Sequence, residues 1–205
     1  MPRSTKRAMK TQITKQMLYE SATRLFKENG FYNTTVEDIA TAAGTSVGAF
    51  YYHFKCKEDL IYLMADDLDS NYSNYYVSRL LDPNRGDALE LIRGIIFLAI
   101  ESYCQWGSEF AAVSYSYTMR VPDVRARMIN VDRADRRVLR ELVALGQKEG
   151  VIRKDIELSQ IVEDVVKMIR GAILDWCLNG GQANITEVSR TFVNTFLDGL
   201  KNSAH

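Results

Sequence analysis

Apolar positions along this chain recur every three or four residues, and no stretch alternates apolar and polar convincingly; that spacing predicts helices throughout. Ile13, Met17, Leu18, Ala22, Leu25 and Phe26 share one face of a segment over residues 11–29, closed by Gly30-Phe31, a glycine stop with its hydrophobic partner. Val36, Ile39, Ala40 and Ala43 line one side of a short segment over 34–43. Thr34 and Glu37 are spaced as a capping box at its start, and Gly44 stands at its end. A second short segment follows at once, with Thr45 or Ser46 as its cap and Val47, Phe50 and Phe54 turned inward.

Longer helices are expected over 56–81, 87–106, 108–120, 122–150, 158–178 and 185–200. Asp82-Pro83-Asn84, Gly107-Ser108 and Gly180-Gly181 break the pattern between them. The centre of the 87–106 helix is apolar on every side, as for a helix buried all round. The expected fold is all-α, with about nine helices: a three-helix head over residues 1–55 and a helical bundle over 56–205.

The second short helix carries the most informative chemistry. Its outward positions, Thr45, Ser46, Gly48, Ala49, Tyr51, Tyr52 and His53, are small or hydroxylated and nearly uncharged. Such a surface can press into a DNA major groove, where bulky side chains would hold the helix off the base edges. Thr35, at the start of the preceding helix, approaches the same surface. Lys55 and Lys57 follow it, placed for phosphate contacts rather than base reading. A helical hairpin that binds nothing is the alternative.

Charge distribution agrees with a reading head. The chain is neutral overall, with 26 Lys/Arg against 26 Asp/Glu. Residues 1–60 hold nine basic and six acidic side chains, so the remainder carries the opposite excess. Arg3, Lys6, Arg7, Lys10 and Lys15 precede any acid, and an arm of that kind, disordered in the free protein, could follow phosphates or enter a minor groove.

The order T-T-x-x-x-I-A-x-x-A-G-x-S-x-G-x-x-Y-x-H-F-x-x-K-x-x-L, here Thr34, Thr35, Ile39, Ala40, Ala43, Gly44, Ser46, Gly48, Tyr51, His53, Phe54, Lys57 and Leu60, resembles the signature of TetR-type bacterial transcriptional regulators. Ala22, Leu25, Phe26, Gly30 and Phe31 match that family's first helix, so the resemblance covers roughly 12–62. It implies a helix-turn-helix head, a helical body, a four-helix dimer interface from the last two helices, and a small hydrophobic effector that re-spaces the heads. Cys56 departs from the pattern, which often has serine there as a helix cap. A thiol between Lys55 and Lys57 is either a tolerated replacement or a redox switch.

The bundle has two candidate tasks. Ile161, Val165, Ile169 and Ile173, widened by Val162, Val166 and Trp176, form one stripe; Ile185, Val188, Phe192, Phe196 and Leu200, beside Val193 and Leu197, form another. They serve either the core or a homodimer, and two heads about 34 Å apart, or a multiple of that, would read a palindromic operator on double-stranded DNA. Aromatic and thioether side chains at Phe97, Tyr103, Trp106, Phe110, Tyr115, Tyr117, Met119 and Met128, with Trp176 and the carboxylate of Glu101, are candidate lining for an effector pocket. Ordinary core is the alternative. Arg120, Arg125, Arg127, Arg133, Arg136, Arg137 and Arg140 outnumber their acidic neighbours; they make either a solvated face of ion pairs or a site for an anion such as the phosphates of an acyl-CoA.

Other classes lack support. His53 lies in the reading helix and His205 ends the chain, and no Ser–His–Asp set, C-x-x-C pair or phosphate loop is present, so neither catalysis, a metal nor a cofactor is expected. Cys56, Cys104 and Cys177 are widely spaced, as free thiols in a reducing cytoplasm would be. The longest apolar run, Gly94 to Ile100, is too short for a bilayer and no signal peptide is expected. The reading is a cytoplasmic, ligand-responsive repressor; a non-sensing architectural DNA binder is the other option.

Overall fold

The computed structural model describes residues 3–202. Ten helices are named among them: α1 (Arg3–Asn29), α2 (Val36–Ala42), α3 (Val47–His53), α4 (Asp59–Leu80), α5 (Ala88–Cys104), α6 (Gly107–Arg120), α7 (Pro122–Met128), α8 (Ala134–Glu149), α9 (Leu158–Leu178) and α10 (Ile185–Leu200). The one β feature among the described residues is an antiparallel bridge, Ile152 to Lys201, that pins the end of α10 beside the α8–α9 connection. The all-α expectation therefore holds.

Three departures from the sequence reading have local causes. α1 begins at Arg3 instead of near residue 11, so the basic stretch 3–10 is helical and not a disordered arm. That stretch is rich in Lys, Arg, Ala and Met, good helix formers, and contains no Gly or Pro. Ile13 and Met17, expected on the inner face of α1, are exposed; Leu18, Tyr19, Ala22 and Phe26 make its buried side. The predicted 122–150 helix is two helices. The Asn130 side chain accepts the Asp132 amide at 2.9 Å, an Asx-type turn that competes with helical bonding and separates α7 from α8. Hence ten helices rather than about nine.

Buried apolar residues form two clusters. The larger one joins α4, α5, α8, α9 and α10, with Ala111 of α6. α5 is its axle: it packs on α4, α6, α8, α9 and α10, which is why its centre is apolar on nearly every side. Gly94 lets α4 approach, because a Cβ there would stand 1.7 Å from the Tyr75 hydroxyl oxygen. The smaller cluster gathers Phe26, Phe31, Ile39, Phe50 and Phe54 of the first three helices and their connections, and extends to Leu60 and Ile61 of α4 and Phe110 and Val113 of α6. α4 and α6 thus belong to both clusters.

Candidate DNA interface and effector cavity

α2 and α3 are built by short-range signals. The capping box is present one residue later than the sequence suggested: Thr35 Oγ1 accepts the Asp38 amide and Asp38 accepts the Thr35 amide, at 3.1 and 2.9 Å. Thr34 is instead buried, its hydroxyl donating to the Gly30 carbonyl at 2.8 Å. The Thr35 hydroxyl, which donates to the Asp38 carboxylate at 2.7 Å, and then the Thr35 amide hold that carboxyl below its ordinary pKa. At the other end of α2, Gly44 takes φ +62°, and the Thr45 and Gly44 amides return to the carbonyls of Ala40 and Thr41. This left-handed close turns the chain sharply into α3, where Ser46 Oγ accepts the Ala49 amide at 3.1 Å.

Phe50 and Phe54 anchor α3 inward, as expected, with Phe50 fully buried and Phe54 at 4 % exposure. On the other side Tyr51 is 56 % and Tyr52 74 % exposed, with Ser46, Gly48, Thr35 and Lys55 also open, and Thr45, Ala49 and His53 half-buried. The surface is slim and free of acid. Burial, then the nearby Lys15 charge, lowers the His53 pKa and favours the neutral ring.

Lys57 differs from its predicted part. Its ammonium donates to the carbonyls of Phe31 and Thr34 and lies 4.2 Å from the centre of the Phe31 ring. It straps the α1–α2 connection to the start of α4, and is not extended toward a phosphate. Cys56 is half-buried 3.7 Å from the Tyr117 hydroxyl, and burial pushes its thiol pKa up, contrary to the lowering that a redox switch beside lysines requires. α4 starts at Asp59, with no side-chain cap bond.

The bundle holds an apolar cavity of about 80 Å³ between α4, α5, α6, α7, α8 and α9. Of the ten candidate lining residues, Tyr103, Trp106, Phe110, Tyr115 and Met128 line it. The other five lie elsewhere, with Met119 exposed on α6. Phe97 packs under Arg190, and Glu101, one residue from the buried Ser102, points to solvent. Tyr117 lies on the far side of α6 and donates to Asp59 at 2.6 Å, while Trp176 donates its indole N–H to the Ala183 carbonyl and borders a groove of about 650 Å³ beside α9 and α10.

Of the rest of the wall, Tyr72 of α4, Thr118, Asp135 and Arg170 were not foreseen, and Arg127 and Arg133 were named only within the arginine excess. The arginine excess was the available signal, but which arginines turn inward depends on the α7–α8 break. Arg136 is 2 % exposed and pairs with Glu163 at 2.9 Å; Arg133 is 9 % exposed and pairs with Asp69 of α4 at 2.7 Å. Burial opposes the Arg133 charge, but the bond to Asp69 and the surrounding carboxylates keep its pKa above the ordinary guanidinium value. The Tyr103 and Tyr115 phenols are raised by burial and stay protonated, able to donate to a ligand.

Besides the shared apolar cluster, the Tyr32 amide of the head donates to Glu109 of α6 at 2.6 Å, and Tyr117 of α6 donates to Asp59 at the start of α4. Lys27 lies 4.5 Å from the centre of the Trp106 ring. One face of α6 therefore borders the cavity and another holds the head.

Residues 18–62 match the model of bacterial regulatory proteins of the tetR family. The head of the chain thus carries the tetR-family segment. Over 191 residues it is 27 % identical to the HTH-type transcriptional repressor KstR2 of Rhodococcus jostii, covering 89 % of each chain. Among solved structures it resembles FadR of Bacillus subtilis in complex with stearoyl-CoA, at 18 % identity and a TM-score of 0.70, covering 90 % of this chain and 98 % of that one. It also resembles the TetR regulator PfmR of Thermus thermophilus, at 25 % identity and a TM-score of 0.61, covering 90 % and 98 %. These relatives are transcriptional regulators. Among the described residues no helix is long and apolar enough to cross a membrane, and no group of three His, Cys, Asp or Glu is arranged for a metal; His205 lies outside the described residues.

Proposed function

We propose that the protein is a dimeric, ligand-responsive repressor that leaves a palindromic operator when an apolar effector fills the cavity beside α6. The observation that carries this reading is the double duty of α6: Phe110 belongs to the head's apolar cluster and also lines the cavity. A ligand that moves Phe110 cannot leave the head untouched. In the DNA complex Thr35, Thr45, Ser46, Gly48, Ala49, Tyr51, Tyr52 and His53 approach base edges and backbone, and Lys55 holds phosphate.

The α9 stripe named from the sequence is buried within one chain at Ile161, Val165 and Ile173, so it is core. A second copy would instead cover Leu174, Leu178, Val188 and Phe192, which are 48–78 % exposed on α9 and α10. We place the division between head and sensing bundle near residue 55, in the turn before α4.

The stearoyl-CoA complex of the similar FadR supports a long apolar effector for this fold. The test has two arms. Duplexes selected by the protein from a random pool should contain an inverted repeat, and a thermal-shift screen of apolar acids, thioesters and neutral lipids should yield a compound that both stabilises the protein and releases those duplexes. Duplex binding with no stabilising compound would favour the architectural alternative. No retained duplex at low salt would overturn the reading.

A further inference from the structure

The cavity is too small for what it should hold. Pockets for drug-sized ligands measure roughly 300–1,000 Å³, against about 80 Å³ here. An effector of that size must spread the walls, and beside α6 a second wall that leads to the head is α4, through Leu68 and Tyr72. What holds α4 to the opposite wall is therefore what the effector has to overcome.

The polar tie across that gap is Asp69 of α4 to Arg133, at 2.7 Å. Arg133 lines the cavity and also an open groove of about 480 Å³ over α4, α8 and the α7–α8 turn; Arg127 lines both as well. The two guanidinium groups stand where the apolar interior meets the groove. Arg170 adds a third cation to the interior wall, where Asp135 is the sole carboxylate among the described lining residues, and Arg137 adds another to the groove. A deep apolar chamber opening past arginines suits a molecule with an apolar body and an anionic head.

Given the effector reading above, on which this rests, we infer that the effector is an amphipathic anion whose head takes Arg133 from Asp69, so that occupancy and release of α4 from α8 are one event. The exchange conserves charge pairing. Arg133, whose Nε also lies 4.0 Å from Asp135, leaves one carboxylate and gains another anion. Asp69, partly exposed at 26 %, passes to water at small cost. A neutral molecule of the same length can fill the chamber but cannot supply the partner that Asp69 vacates.

The experiment uses three twelve-carbon probes: dodecanoate, dodecanoyl-CoA and the neutral dodecanol. Binding is read by Trp106 fluorescence in a Trp176→Phe background, and release by displacement of a selected duplex. The exchange predicts that Asp69→Asn binds both anions more tightly, on the order of tenfold, with dodecanol unchanged, and holds the duplex more weakly without ligand. Arg127→Gln should weaken the anions by a similar factor and spare dodecanol. If Arg137→Gln weakens dodecanoyl-CoA alone, the anionic head is a phosphate seated in the groove; if it weakens neither anion, the head is the carboxylate at Arg133. Both are forms of the exchange. Equal shifts for anionic and neutral probes in Asp69→Asn, or weaker anion binding in that variant at unchanged melting temperature, would overturn the exchange. If dodecanol binds and releases the duplex as well as the anions do, sensing stands and the exchange falls. If no probe binds, the exchange also falls, and sensing itself then rests on the wider thermal-shift screen.

Discussion

The reading head and the sensing bundle solve opposite problems. In the head the functional surface is finished before any partner arrives: Thr35, Gly44 and Ser46 set two short helices by bonds spanning a few residues, and Phe50 and Phe54 seat α3 from behind. In the bundle the functional space is small, and its walls come from six helices spread over more than a hundred residues. A surface that must fit rigid DNA is well served by stiffness; a chamber that must report occupancy is better served by walls that move.

The largest break in that comparison should come from Phe50→Ala. Deleting a fully buried aromatic side chain should cost about 3–5 kcal/mol, and two-probe denaturation should show the head unfolding at lower denaturant than the bundle. A single unchanged transition would mean that the two clusters fold as one.

Lys57 and Lys55 sharpen the contrast. Lys57→Met removes two bonds from a charged donor to backbone carbonyls and should lower stability by about 1–3 kcal/mol, while leaving the salt slope of duplex binding as it was. Lys55→Ala should reverse this, leaving the melting temperature in place and reducing the slope by about one. Matching behaviour in the two variants would return Lys57 to the phosphate contacts.

Tyr51→Ala should abolish operator preference while stability stays within about 0.5 kcal/mol, as for exposed positions generally. Duplex selection with the variant measures this directly; unchanged sequence preference would remove Tyr51 from the reading surface.

The smallest effect is that of His53. Its pKa is lowered in the folded chain, so the unfolded chain takes up the proton first as pH falls. Stability should be constant above about pH 6.5, the ordinary histidine value, and decline below it. His53→Gln should flatten that decline in melting curves taken from pH 7.5 to 5.5. An identical slope in the variant would assign the decline to other groups.

Legibility followed the range of the interactions. Helix identity, the helix-turn-helix and the inward Phe50 and Phe54 could be read because each rests on neighbours in the chain. The capping box shifted by one residue because Thr34 and Thr35 both offer hydroxyls and only packing decides which is buried. Tyr103, Trp106, Phe110, Tyr115 and Met128 were recognisable as cavity lining by type alone. Phe97, Tyr117 and Trp176 have the same types, and Glu101 was their one carboxylate, but the rotation of α5, α6 and α9 in the bundle directs them elsewhere. Arg133 and Arg127 were visible as part of an excess, and their placement at the cavity wall depends on the turn at Asn130.

Phe110 has a consequence for how such a regulator can diversify. A residue that packs in the head's core while bordering the chamber cannot be resized to admit a new effector without disturbing the DNA-reading fold. Tyr103, Tyr115 and Ile169 border the chamber yet pack with the larger cluster. Inherited changes in effector preference should therefore accumulate at those three positions and spare Phe110, so that new chemical inputs can be acquired while the old address on the genome is kept.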